Sequence, residues 1–322
     1  MEITRDLELD GLKFLLIFSV VLGHIEFVDY GLHVKRIIYS FHMPMFVFLS
    51  GYFTSLNSNR EKQNKWVKKT LLIYIIAQLT QVLLRLVLRY AGSLISGSSF
   101  DIQSVLNKSI IIYPQFALWY LVCLIYWRFA YWRFCKKIKD STLFLLSLFL
   151  LVIASFVPLG YAFSFQRTFA FFPFFVLGII FKKKELLSKI EKLPTLYALV
   201  LLIIGLIISI FMPSYLPVQS LDSCGHLLLR LAQTGLGIYL CLIILRLSRI
   251  RIFGVFSKYG SKTLWIYVGH TYLVIIINQF LSYHNIQINV FIAVILTIII
   301  CTLIIYIAQS YSSIQRNRVI TN

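Results

Sequence analysis

The sequence predicts an all-α, polytopic integral membrane protein of about ten transmembrane helices with both termini in the cytoplasm. Three observations predict it. The 322 residues are 59% hydrophobic and only 13% charged, with a mean hydropathy of +0.83. Stretches close to twenty apolar residues recur along the whole chain, the length a helix needs to cross a bilayer. These stretches are continuously apolar and do not alternate, which argues against a transmembrane β-barrel. The third observation is the placement of positive charge between the spans.

In chain order the candidate spans are 12–29, 37–55, 70–91, 115–132, 142–158, 167–181, 195–213, 226–246, 262–282 and 289–309. The second carries Pro44 and Gly51, residues that membrane helices tolerate where the backbone lines a protein-filled or watery interior. Residues 92–109, rich in Ser and Gly, read as the longest outer loop. The basic stretch after residue 181 reads as an interfacial helix or connector. No repeat or linker divides the chain, so residues 1–322 are expected to form one membrane domain. The acidic, polar start MEITRDLELD does not resemble a basic leader, and the first span is read as retained.

With the N-terminus inside, 24 of the 31 lysines and arginines fall on cytoplasmic segments, which supports an even number of spans. The net charge of +19 is therefore a topological signal, also usable by anionic lipid headgroups or a phosphorylated cofactor. Nucleic acid is not an expected partner. The five cysteines (Cys123, Cys135, Cys224, Cys241 and Cys301) show neither C-x-x-C nor metal-like spacing, so no disulfide framework and no metal site are expected.

Ionisable side chains within spans are costly and mark functional positions. The first span holds Lys13 and, after ten intervening residues, His24; the second holds His42 in FHMPMFVFLSGYF. At 1.5 Å per residue His24 lies roughly 18 Å along its span, in the outer half of a hydrocarbon core about 30 Å thick. A tight hairpin would bring His42 to similar depth. Glu26, Arg167, His226, Arg230 and His270 fall in or near this layer, with Trp119 and Tyr120 as aromatic walls. His33 and His284 are expected in outer loops. The Lys13–His24 spacing, about three turns or roughly 16 Å, forbids direct contact in a regular helix.

A neutral imidazole can take a proton from an alcohol as it attacks a thioester. The resulting oxyanion needs a donor such as arginine. These groups suit acyl transfer and would equally suit a proton-coupled transporter. Each also has a plainer reading: packing for the histidines, a snorkelling anchor for Arg167, an interfacial belt for Trp119 and Tyr120.

Four segments in order carry a resemblance. RDLELDGLKFLLIFSVVLGH, FHMPMFVFLSGYF, LWYLVCL and RTFAFFPFFVLG resemble elements of the acyltransferase-3 membrane family, most closely its fucose 4-O-acetylase-like branch. The resemblance covers nearly the whole chain. It implies a membrane O-acyltransferase that moves an acyl group, usually acetyl, from cytoplasmic acyl-CoA to a sugar hydroxyl. The acceptor would be an envelope glycan or a lipid-linked saccharide at a cell membrane, the bacterial cytoplasmic membrane first of all. His24 falls on the catalytic base and Lys13 on its motif partner, better placed to serve the cofactor end. His42 and Arg167 fall on supporting positions that orient the base or acceptor and stabilise charge. Lys65, Lys68 and Lys69 are candidates for the CoA phosphates; Trp119, Tyr120 and Glu26 are candidates for acceptor contacts. Some family members carry a fused extracellular hydrolase-like domain, which these residues lack, so either the acceptor docks at the outer mouth or a separate polysaccharide-biosynthesis protein takes the acyl group. A transporter or flippase, a non-catalytic synthase subunit and a succinyl-CoA donor are the rival readings.

Overall fold

The computed structural model describes residues 6–26, 28–29, 31–97, 99, 102, 112–157, 162–212 and 224–320, with the side chains of 29, 31, 32, 96, 224–226 and 312–320 left out. Among the described residues ten helices of 15 residues or more follow one another. They are α1 (Leu7–His24), α2 (Gly31–Tyr52), α3 (Arg60–Ser96), α4 (Trp119–Arg133), α5 (Asp140–Phe156), α6 (Phe165–Lys183), α7 (Thr195–Phe211), α8 (Cys224–Leu247), α9 (Thr263–Tyr283) and α10 (Val290–Ile320). Each candidate span overlaps one of them. Five helices, α3, α6, α8, α9 and α10, are long and apolar enough to cross a membrane; α5 and α7 are shorter apolar helices. The only sheet among the described residues is the two-residue parallel pair of β1 (Val28–Asp29) with β2 (Ile288–Asn289).

Several boundaries differ from the sequence expectation. The first helix begins at Leu7 and ends at His24 instead of spanning 12–29. Asp6 caps it, accepting from the Leu9 amide at 3.0 Å, and Glu8 and Asp10 occupy its first turn. Such acidic groups favour a helix start by satisfying orphan amides and complementing the dipole. Beyond His24 the chain turns extended to reach β1. His24 therefore closes a helix and does not sit inside one. The second helix starts at Gly31, which places exposed His33 on helix and not in a loop. Helix α3 has 37 residues, about 55 Å of helix against a core of about 30 Å. Its lysine-bearing turns therefore project past the hydrocarbon, and its other end takes up the first residues expected in the Ser/Gly-rich loop.

The chain separates into two compact units, one of Met1–Ile38 with Leu247–Asn322 and one of Tyr39–Arg246. In the first, α1 packs on the short helices Ile252–Val255 and Ser257–Gly260 and on α9 and α10. Two glycines permit that approach: a methyl at Gly11 would overlap the Phe253 carbonyl, and one at Gly260 the Asp10 carbonyl. Phe14 stacks on Phe256 at 5.9 Å and meets the Tyr259 ring at a tilt, 5.0 Å away.

In the second unit α4 and α5 each pack on α6. The Trp127 indole donates to the Thr168 carbonyl at 2.8 Å, and the Gln166 amide donates to the Ala154 carbonyl. Buried Arg230 of α8 donates to the Ser155 hydroxyl at 3.0 Å. Helices α2 and α6 cross with Gly51 and Gly178 facing each other's backbone. The stretch after residue 181 forms the helical turn Leu187–Ile190, with Leu187 buried.

Candidate functional site

In the first unit the polar side chains gather at the C-terminal end of α1. His24 is half-buried, and its Nδ1 lies 3.2 Å from Nε2 of His270, the two rings nearly parallel at 9°. His270, on α9, is fully enclosed, and its Nδ1 lies 2.9 Å from the carbonyl oxygen of Ile266. A carbonyl can only accept, so Nδ1 of His270 carries the proton and donates. In the neutral ring Nε2 then presents a lone pair, and Nδ1 of His24 donates to it. The chain of bonds assigns His24 the tautomer in which Nε2 is the basic nitrogen.

Asn278, about two turns further along α9, holds the backbone at the same place. Its amide nitrogen donates to the His24 carbonyl at 3.1 Å, and its amide oxygen accepts from the Glu26 N–H at 2.9 Å. One side chain thus serves a last-turn carbonyl of α1 and the amide just beyond it, groups that a helix end leaves without intrahelical partners. Glu26 itself is exposed, and the contact that fixes it is made by its backbone.

Lys13 does not reach His24. Its ammonium forms an ion pair with Asp10 at 2.9 Å, three residues back on α1. Asp10 is 8% exposed, so the pair sits where α1 meets Gly260.

The second unit holds the remaining predicted residues. His42, 3% exposed, meets the Tyr39 ring edge-on at 5.0 Å. Arg167 lies over the Trp119 ring at 4.9 Å, and Trp119 stacks on Phe171 at 5.5 Å. Both partners open their helices after left-handed backbone: Phe116 at φ 46 precedes α4, and Phe163 and Ser164 at φ 48 and 58 precede α6. Non-glycine residues adopt that conformation at a cost of about 1–2 kcal/mol each, and here it leads directly into the two stacked side chains. The Tyr120 hydroxyl hydrogen-bonds with that of Ser50. Trp119 and Tyr120 are buried, so an interfacial belt facing lipid does not describe them. Lys65, Lys68 and Lys69 are exposed on the first turns of α3. His226 falls outside the described side chains, and His284, exposed, follows α9.

Sequence reasoning placed His270 about mid-span without pairing it to His24, and it did not single out Asn278. A fully apolar run interrupted by GHT was the available signal, since a polar residue at such depth is retained for a reason. Among the described residues no group of His, Cys, Asp and Glu could hold a metal ion.

Compared with known proteins, residues 6–307 match the family model described as an acyltransferase domain, the acyltransferase-3 type. No curated protein and no solved structure matches the chain.

Proposed function

Because the chain belongs to the acyltransferase-3 family of membrane acyltransferases, we propose that it transfers an acyl group, acetyl first of all, from acyl-CoA to a saccharide hydroxyl, with His24 as general base. The observation that carries this reading is the ordered series from the Ile266 carbonyl through His270 to His24. A general base must present a defined lone pair, and a base oriented by a second group is the recurring arrangement in acyl transfer.

In the proposed reaction Nε2 of His24 takes the proton of the sugar hydroxyl as its oxygen attacks the thioester carbonyl. The tetrahedral intermediate collapses, the C–S bond breaks, and the thiolate leaves as CoA after taking that proton from the imidazolium. The products are an O-acyl saccharide and free CoA, with His24 returned to its starting tautomer. His270 holds the imidazole orientation throughout and stabilises the transient cation through its lone pair. Asn278 fixes the backbone that carries the base. His42 and Arg167 are proposed in supporting roles, Arg167 as a cation for developing negative charge. The acceptor is an envelope or lipid-linked glycan, and the setting a multi-pass protein of the bacterial cytoplasmic membrane.

The test uses purified protein in lipid with labelled acetyl-CoA and an envelope glycan extract, comparing wild type with a folded His24→Ala variant. Loss of glycan labelling by about 10²-fold or more supports the base assignment. Equal labelling by both proteins removes His24 from that role. Glycan flux into vesicles without CoA release would favour the transporter reading instead.

A further inference from the structure

A second cluster of cations in the Tyr39–Arg246 unit is unused by the chemistry above. Arg128, in the second half of α4, places its guanidinium carbon 4.2 Å from the centroid of the Trp66 ring of α3. Its Nε is enclosed and makes no hydrogen bond within the protein. Trp66 meets Trp132 edge-on at 5.8 Å, and the Trp132 indole donates to the Ser55 carbonyl at 3.1 Å. At the neighbouring residue Lys182 of α6 donates to the Thr54 carbonyl at 2.9 Å. Lys182 thus contacts the turn that ends α2 directly, and Arg128 is linked to the same turn through Trp66 and Trp132. Among the described residues, neither cation is ion-paired with a carboxylate; the pairs present involve Lys13, Lys183, Lys184 and Arg249.

The plainer account of Arg128 is an arginine stacked on an indole. Stacking uses the face of the guanidinium and leaves its five N–H donors at the edge. An enclosed donor without a partner is destabilising, and natural proteins keep such groups where a ligand completes them. A planar fork beside a lysine point charge is the pairing that recognises phosphate. This end of the unit also carries the basic segments 136–139 and 182–184, on the side to which the charge bias assigns the cytoplasm.

We propose that Arg128 and Lys182, framed by Trp66 and the Thr54–Ser55 turn, form a phosphate-binding subsite that holds the phosphorylated head of the acyl donor. This rests on the acyl-CoA reading above. The exposed Lys65, Lys68 and Lys69 would then guide the donor in, while the half-buried Arg128 and Lys182 retain it.

The experiment measures CoA binding by calorimetry to wild type, Arg128→Gln, Arg128→Lys and Lys182→Met in nanodiscs of phosphatidylcholine alone. A parallel set contains phosphatidylglycerol. The expected result is weakening of about tenfold or more for Arg128→Gln and Lys182→Met. Arg128→Lys, which keeps charge but loses the fork, should fall between. Lys182→Met keeps the test valid should Arg128→Gln fail to fold. If the variants differ from wild type only in retention of phosphatidylglycerol, the phosphate is a lipid headgroup's and the donor assignment is overturned. Binding of CoA by all variants as tightly as by wild type overturns the subsite while leaving the acyltransferase reading intact. Wild type that binds no CoA overturns both.

Discussion

The Asn278 side chain grips the end of α1 at His24, donating to its carbonyl at 3.1 Å while accepting from the Glu26 amide at 2.9 Å. The imidazole is thereby carried on backbone held from outside its own helix. Losing such a bond at a part-buried site costs about 1–3 kcal/mol. Asn278→Leu removes both contacts, and Asn278→Asp removes the donation alone. Both should lower kcat by about tenfold with donor KM little changed, Asp less than Leu. Wild-type kinetics in a folded Asn278→Leu protein would rule out the positioning role.

His270 sets the tautomer, so its replacement should act on His24 without touching substrate. His270→Leu removes the acceptor facing Nδ1 of His24, while His270→Gln can offer an amide oxygen in its place. We expect kcat to fall by about 10²-fold in the first and less in the second. Nitrogen-15 NMR of labelled histidine reads the same effect directly. His24 should change from one tautomer to a mixture in His270→Leu, and an unchanged spectrum would exclude the relay.

The crossing of α2 and α6 depends on two missing side chains. A methyl at Gly51 would overlap the Phe175 carbonyl, and one at Gly178 the Phe48 carbonyl. Gly51→Ala and Gly178→Ala should each destabilise the protein by about 1–3 kcal/mol through overpacking, seen as a lower Tm in detergent. Gly92, on α3, has open space where its Cβ would be. Gly92→Ala should raise stability by about 0.5–1 kcal/mol through helix propensity. Equal behaviour of all three would refute the close crossing.

Arg167 and Trp119 should be energetically coupled. Their stacking at 4.9 Å predicts a double-mutant-cycle coupling of about 0.5–2 kcal/mol in the transition-state free energy, using Arg167→Gln and Trp119→Leu. Arg167→Lys keeps the charge but not the planar group and should recover only part of the rate. Additive effects would make the two residues independent.

Each long helix among the described residues overlaps an apolar run of the sequence, and such a run is a property of local composition. The ends were less legible. Capped by Asp6, α1 starts at Leu7, five residues before its expected span, because a cap and a dipole act on polar residues that a hydropathy window discounts. The motif pairing of Lys13 with His24 placed both on one helix, Leu7–His24. Regular helix geometry keeps them apart, and Lys13 is in fact paired to Asp10.

The amino-acid order alone determined a predominantly helical membrane protein and its family. These follow from periodicity, charge placement and short ordered motifs, all of which act over tens of residues. Only the tertiary structure decided that His270, 246 residues from His24 in sequence, supplies the acceptor for its ring. It also decided that Asn278 secures the end of α1, that Arg128 stacks on Trp66 and that Lys182 reaches the Thr54 carbonyl. The physical reason is that hydrogen bonds between imidazoles, amides and guanidinium groups act over about 3 Å. No periodicity along the chain encodes which distant residues come within that distance; the packing of one helix against another does.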